Sequence, residues 1–264
     1  MSLRIAGAHV AVVGGSRGVG RALGRAFAEA GARVTLVARD PDRLATAAKE
    51  IDAGAVVADL ADEREVRGLV ARLEDVAPVD VLVGNAALDA CGPFDELGHD
   101  PLRELFAVNV VAPALLCRDV LPGMRRRGRG RLVLVSSLSA HATLPGLTAY
   151  SATKAAVSRL GEGLRTELRG SGVGVTVVET GPVATDMYAT IRRHPSTAAA
   201  FDRLLATRAV RLLDPGEVAE ATVGAVRRGT GTLVLPRRAR AQAALARLPE
   251  RTTAATLRGA ARTA

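Results

Sequence analysis

Apolar residues along this chain fall into two alternating rhythms. Short runs rich in Val, Leu and Ala, bounded by Gly, Pro, Asp or Ser, occupy residues 9–13, 34–38, 55–58, 79–83, 131–136, 173–178 and 232–235. Between them the apolar period lengthens to that of an amphipathic helix, over residues 18–30, 41–51, 62–76, 101–127, 149–169 and 215–228. Runs that are apolar throughout are strands buried on both faces, and strict strand-helix alternation means crossover units. The pattern therefore predicts a doubly wound α/β fold, a seven-stranded parallel sheet with helices on both faces. Asp40-Pro41 and Asp214-Pro215 mark two helix starts, each with a capping carboxylate before a proline whose missing N–H is no loss in the first turn.

Two segments break the rhythm. Residues 186–213 mix apolar and basic side chains around His194-Pro195, between the sixth strand and the last helix, and insertions at that place are commonly lids. After Pro236 comes a tail with Ala and Leu on one helical face and Arg on the other, suited to an anionic membrane surface or, the reading preferred here, a subunit interface. The expected organisation is one domain over residues 1–236 followed by the basic amphipathic tail, 237–264.

Composition narrows the function. Aromatic residues make up 2% of the chain and Trp is absent, so stacking platforms for nucleic-acid bases are scarce. The formal charge of +9 comes mainly from residues 125–131, Arg192, Arg193, Arg227, Arg228 and the tail, which read as solvated faces rather than a nucleic-acid groove. Cys91 and Cys117 have no metal-ligand spacing and suit a reducing compartment. With no signal-peptide pattern and no run of 18 apolar residues, a cytoplasmic location is expected.

Candidate chemistry begins at Gly14-Gly15-Ser16-Arg17-Gly18-Val19-Gly20, directly after the first strand and opening the first helix. Glycines there let the backbone approach a pyrophosphate, and the helix N-terminus adds unpaired N–H groups and a favourable dipole. The second strand ends on Arg39, where a guanidinium can fork onto a 2′-phosphate; alone, it is equally a surface residue of an Arg-rich chain. The sharpest feature is Tyr150-Ser151-Ala152-Thr153-Lys154. One helical turn puts the phenol and the ammonium on one face, about 6 Å apart, where a cation is expected to lower the phenol pKa towards the range of useful proton exchange. Lys49 and Lys154 are the only lysines, and Tyr150 and Tyr188 the only tyrosines, so the pairing is conspicuous. Ser136-Ser137 closes the fifth strand, and Asn109 is an odd polar residue on an apolar helix face.

With Gly-x-x-x-Gly-x-Gly in the turn and Tyr-x-x-x-Lys thirteen residues after Ser137, the chain resembles the short-chain dehydrogenase/reductase family over residues 8–235. The resemblance implies a Rossmann-like domain and an oxidoreductase that uses NADP(H), in preference to NAD(H), on a carbonyl or secondary alcohol. It assigns Asn109, Ser137, Tyr150 and Lys154 to catalysis, with Ser137 holding the substrate oxygen and Asn109 anchoring a water that leads protons to Lys154. It assigns cofactor contacts to Gly14, Ser16, Arg17, Gly18, Val19, Gly20, Arg39, Asp59, Leu60, Asn85, Ala86, Tyr150, Lys154, Gly181, Val183 and Thr185. It also implies a homodimer or homotetramer. Val13, Gly84, Ala87 and Thr180 stand where the family has Thr, Asn, Gly and Pro. Substrate lining is expected from Ala87, Asp89, Ser137, Ser139, His141, Leu144, Met187 and Tyr188, a largely small or apolar set that suits a lipophilic ketone, steroid-like alcohol or 3-oxoacyl group. The competing reading is a regulatory module that binds NADP without chemistry.

Overall fold

The computed structural model describes residues 2–208 and 210–240; most of the basic tail lies outside them. Seven parallel strands, β1 (His9–Val13), β2 (Arg33–Ala38), β3 (Gly54–Val57), β4 (Val81–Gly84), β5 (Gly130–Ser137), β6 (Val173–Thr180) and β7 (Thr232–Leu235), form one sheet in the order β3-β2-β1-β4-β5-β6-β7. The helices are α1 (Gly18–Glu29), α2 (Pro41–Lys49), α3 (Glu63–Glu74), α4 (His99–Phe106), α5 (Ala112–Arg126), α6 (Thr148–Glu167), α7 (Asp186–Ile191), α8 (Pro195–Ala206) and α9 (Pro215–Arg228). Alternation within a strand divides the core. Val10 and Val12 pack with Leu23, Phe27, Leu44 and Val226 beneath α1, α2 and α9, whereas Ala11 and Val13 pack with Leu69, Leu116 and Val157 beneath α3, α5 and α6. Both faces are thus apolar, as the unbroken strand runs require, and the direction of winding reverses between β1 and β4, opening a crevice at their carboxyl ends.

The differences from the sequence-based elements have local causes. β4 starts at Val81 instead of residue 79, and Asp80 just before it turns its carboxylate onto the His9 N–H (3.1 Å) and the Arg129 guanidinium (3.2 Å). The expected helix 101–127 is a span from His99 to Arg126 interrupted by a π turn at Ala107–Val111, with Asn109 at its centre. This span is apolar enough to cross a membrane by length and composition. Its apolar side chains Leu105, Leu116, Val120 and Met124 are instead buried in this domain. Residues 186–213, read as a lid without assigned elements, contain helices α7 and α8, and β5 and β6 run on to Ser137 and Thr180, which carries both strand ends to the crevice.

Candidate active site

The glycine turn is held at close quarters. Gly14 (φ 82°) and Gly18 (φ 52°) adopt left-handed conformations, and the N–H groups of Gly14 and Gly15 both donate to the Val37 carbonyl, at 2.8 and 3.0 Å. A Cβ on Gly14 would lie 2.6 Å from Ala86 Cα, and one on Gly20 would lie 1.9 Å from the Gly14 carbonyl oxygen. Asn85 Nδ2 donates to that same oxygen at 2.9 Å, so the end of β4 braces the turn. The result is a bare backbone concavity at the start of α1.

Helix α6 presents the second group. Its ladder sets Tyr150 and Lys154 one turn apart, with Lys154 Nζ 5.6 Å from the phenol ring centroid. Lys154 is 3% exposed and its ammonium donates to the Val135 carbonyl at 3.1 Å. Burial lowers the Lys154 pKa to about 8. Tyr150 faces the crevice but is otherwise enclosed, and desolvation raises its pKa well above the usual value; the nearby Asp89 carboxylate adds to the rise and a hydrogen bond from the Ser137 side chain opposes it. Burial thus moves the phenol in the direction opposite to the one expected from its lysine neighbour.

Asn109 is buried, and both ends of its amide are hydrogen-bonded. Oδ1 accepts from the Leu88 N–H at 2.7 Å, and Nδ2 donates to the Leu88 carbonyl (2.9 Å) and to Thr153 Oγ1 (3.1 Å). The Asn109 side chain is thus a clamp between the β4 loop and α6. Ser137 Oγ accepts from the Ser139 N–H at 3.1 Å and donates to the Thr180 carbonyl at 3.4 Å.

A single cavity of about 500 Å³ joins these parts. Gly14, Ser16, Arg17, Gly18, Val19, Arg39, Asp59, Leu60, Asn85, Ala86, Tyr150, Lys154, Gly181, Val183 and Thr185 all line it, as do Ala87, Ser137, Ser139, His141, Leu144, Met187 and Tyr188. Gly20, Asn109 and Asp89 do not. Gly20 serves packing, Asn109 the clamp, and Asp89 is half-buried, its pKa raised by burial against the opposing field of Arg17.

Comparisons with known proteins place the chain in a family. The family model described as short chain dehydrogenase matches residues 8–196. The chain belongs to the short-chain dehydrogenase family. It is 37% identical to a short chain dehydrogenase of Pseudocercospora fijiensis, over 73% of this chain and 67% of the relative. It is 34% identical to the 3-dehydrosphinganine reductase of Danio rerio, over 66% of this chain but only 56% of that protein's length. Among solved structures, the 3-oxoacyl (acyl-carrier-protein) reductase of Agrobacterium tumefaciens with NADP bound superposes with a TM-score of 0.78, at 30% identity, over 88% of this chain and 93% of the other.

As a short-chain dehydrogenase, the protein is an oxidoreductase. Its site contains residues that sequence reasoning missed. Arg43 lines the arginine end of the cavity, and Glu104 of α4 reaches Arg39 Nη1 at 3.7 Å, the same separation as Asp59. Both are surface charges in the sequence, with nothing local to mark them. At the other end, Leu147, Ile191 and Phe201 are buried against Leu144, Met187 and Tyr188, so α7 and α8 roof an apolar chamber. Thr185, expected at the cofactor, also caps α7 by accepting from the Tyr188 N–H at 3.4 Å. Arg17 reaches Asp186 at the first turn of α7, at 3.7 Å.

Proposed function

We propose that this dehydrogenase moves hydride between NADP(H) and a carbonyl or secondary alcohol, with Tyr150 exchanging the proton at the substrate oxygen. The observation that carries the reading is the continuity of the cavity. One space runs from Arg39 across the bare glycine turn to Ser137, Tyr150 and Lys154. The turn fits a pyrophosphate because its glycine backbone lies bare at the start of α1, where the helix N-terminus favours an anion. Arg17, Arg39 and Arg43 at the far end favour a 2′-phosphate, which supports NADP(H) over NAD(H).

Bound NADPH supplies the hydride. A phenol held protonated by burial donates its proton to the substrate oxygen as negative charge develops there, and the Ser137 hydroxyl stabilises that charge by hydrogen bonding. Lys154, with a pKa brought to about 8, is matched to return a proton to Tyr150 near neutral pH. The apolar chamber under α7 and α8 suits a lipophilic substrate: a ketone, a steroid-like alcohol or a 3-oxoacyl group. Residues 186–213 act as its lid within a single domain that ends near residue 236.

The protein works as a homodimer or homotetramer in the cytoplasm. Exposed Phe94, Phe106 and Val111 and the apolar groove between α5 and α6 support self-association, and free Cys91 and Cys117 support a reducing compartment. Incubation of the purified protein with NADPH, then NADH, and a panel of ketones tests the reading by loss of reduced-nicotinamide absorbance. Ketone-dependent oxidation of NADPH is expected; NADPH binding without turnover across the panel would favour the regulatory module.

A further inference from the structure

Lys154 is gripped at both ends by adjacent residues of β5. Val135 takes the ammonium on its carbonyl at 3.1 Å, and the Ser136 hydroxyl donates to the Lys154 backbone carbonyl at 2.8 Å. In the helix ladder that same carbonyl faces the N–H of Ser158, four residues on. Ser158 also turns its side chain to this place: its Oγ stands 2.8 Å from Ser136 Oγ and 3.2 Å from Glu179 Oε1. Ser136 and Glu179 are register partners on neighbouring strands, so one helix hydroxyl bridges β5 and β6. Ser136, Ser158 and Glu179 are all buried, and the chemistry above uses none of them.

Hydroxyls buried between a sheet and a helix carry a desolvation cost that apolar side chains avoid. What they supply is direction. Elsewhere α6 is pressed onto the sheet by close apolar contact; a Cβ on Gly161 would lie 2.3 Å from Val177 Cγ2 and 3.3 Å from Leu134 Cδ1. That contact sets the gap between helix and sheet, and the hydrogen bonds, which weaken steeply with distance and angle, set the register along the helix axis. The single proton of Ser136 goes to Lys154, which leaves its oxygen to accept from Ser158. Removing either hydroxyl therefore slackens the other, and the two act as one brace at the level of Lys154.

We infer that Ser136 and Ser158 are positioning residues: acting together through the Lys154 carbonyl, they set Lys154 so that its ammonium meets the Val135 carbonyl one helical turn from Tyr150. The inference deepens the proposed carbonyl chemistry, in which Lys154 returns a proton to Tyr150, and for its effect on turnover it rests on that reading. A displacement of about 1 Å in a reacting constellation can lower turnover by about a hundredfold. Slackening the brace lowers kcat and spares ketone binding, because the apolar chamber under α7 and α8 is built without these serines.

The test has two readouts, one of them independent of turnover. Lys49, which is exposed, and Lys154 are the only lysines, so acetylation by an N-hydroxysuccinimide ester, followed peptide by peptide in a mass spectrometer, reports Lys154 against an internal reference. Ser136→Ala is expected to raise the Lys154 rate relative to Lys49 by about threefold or more, at the scale of one lost hydrogen bond, and Ser136→Thr, which keeps the hydroxyl, to stay near the native ratio. With a ketone that the native protein reduces, Ser136→Ala lowers kcat by about tenfold while KM for the ketone stays within about twofold. Because the serines act as one unit, Ser136→Ala with Ser158→Ala is no slower than the slower single variant. An acetylation ratio in Ser136→Ala equal to the native one overturns the inference, as does a double variant whose loss is the product of the two single losses. If protein that binds NADPH, as read by nicotinamide fluorescence, reduces no ketone, the carbonyl reading falls, while the acetylation ratio still decides the placement of Lys154. Should Ser136→Ala fail to fold by circular dichroism, Ser158→Ala takes its place with Ser158→Thr as its conservative partner, and the same ratio upholds or overturns the inference.

Discussion

Replacing Lys154 by Met should stabilise the fold while disabling the enzyme, and pH separates the reason from mere repacking. The ammonium is 3% exposed, and burial moves its pKa from the ordinary 10.5 to about 8. A lysine with a depressed folded pKa favours the unfolded chain at every pH where it must be charged. At pH 7 it is protonated in both states, and the difference in pKa corresponds to roughly 3 kcal/mol of destabilisation, at about 1.4 kcal/mol per pH unit. As pH rises through 8 the folded protein sheds this proton while the unfolded chain keeps its own, so the penalty shrinks to about 2 kcal/mol at pH 9. Methionine has no charge to bury, although it leaves the Val135 carbonyl without its 3.1 Å donor, a cost of about 1–3 kcal/mol that pH does not alter. Urea unfolding of native protein and variant at pH 7 and pH 9 checks this: the difference between them should move by about 1 kcal/mol in favour of the native protein at the higher pH. A difference equal at the two pH values would refute the claim that the ammonium is stored at a cost.

Three further outcomes follow from named contacts. Gly20→Ala places a methyl group 1.9 Å from the Gly14 carbonyl and 2.5 Å from Asn85 Nδ2, so the turn must open; a loss of about 1–3 kcal/mol is expected, with NADPH binding weakened in a fluorescence titration. Glu104→Gln frees Arg39 from one of its two carboxylates and should tighten NADPH about two- to threefold while leaving NADH unchanged, since an exposed pair of this kind is worth at most about 1 kcal/mol. Asn109→Ala strips the Leu88 N–H of its 2.7 Å acceptor and should cost about 1–3 kcal/mol in urea unfolding, with turnover lowered as α6 loses its clamp.

The strands and the helices flanking them were legible because their signals are local: apolar runs, prolines at helix starts, glycines where the backbone must turn. The π turn at Ala107–Val111 was not, because one extra residue in a helical turn leaves the apolar period nearly unchanged. Helices α7 and α8 were missed as elements because their apolar residues, Ile191 and Phe201 among them, face a chamber created only when the lid meets Leu147 and Tyr150. Tyr150 and Lys154 were found as a pair through spacing, yet the direction of the phenol shift depends on how much water surrounds it, a property of the folded site. Arg43, Glu104 and the buried Glu179 show the same limit: nothing in the neighbouring sequence marks which surface charge meets the cavity or which strand carboxylate is enclosed.

Turnover by Tyr150→Phe, measured alongside NADPH affinity, bears most directly on the proposed chemistry. The phenylalanine ring keeps the shape of the cavity wall and removes only the hydroxyl. NADPH should bind within a few-fold of the native protein, while ketone reduction falls by about a hundredfold to ten-thousandfold, the usual contribution of a positioned acid. Reduction at near-native rate by this variant would contradict the account.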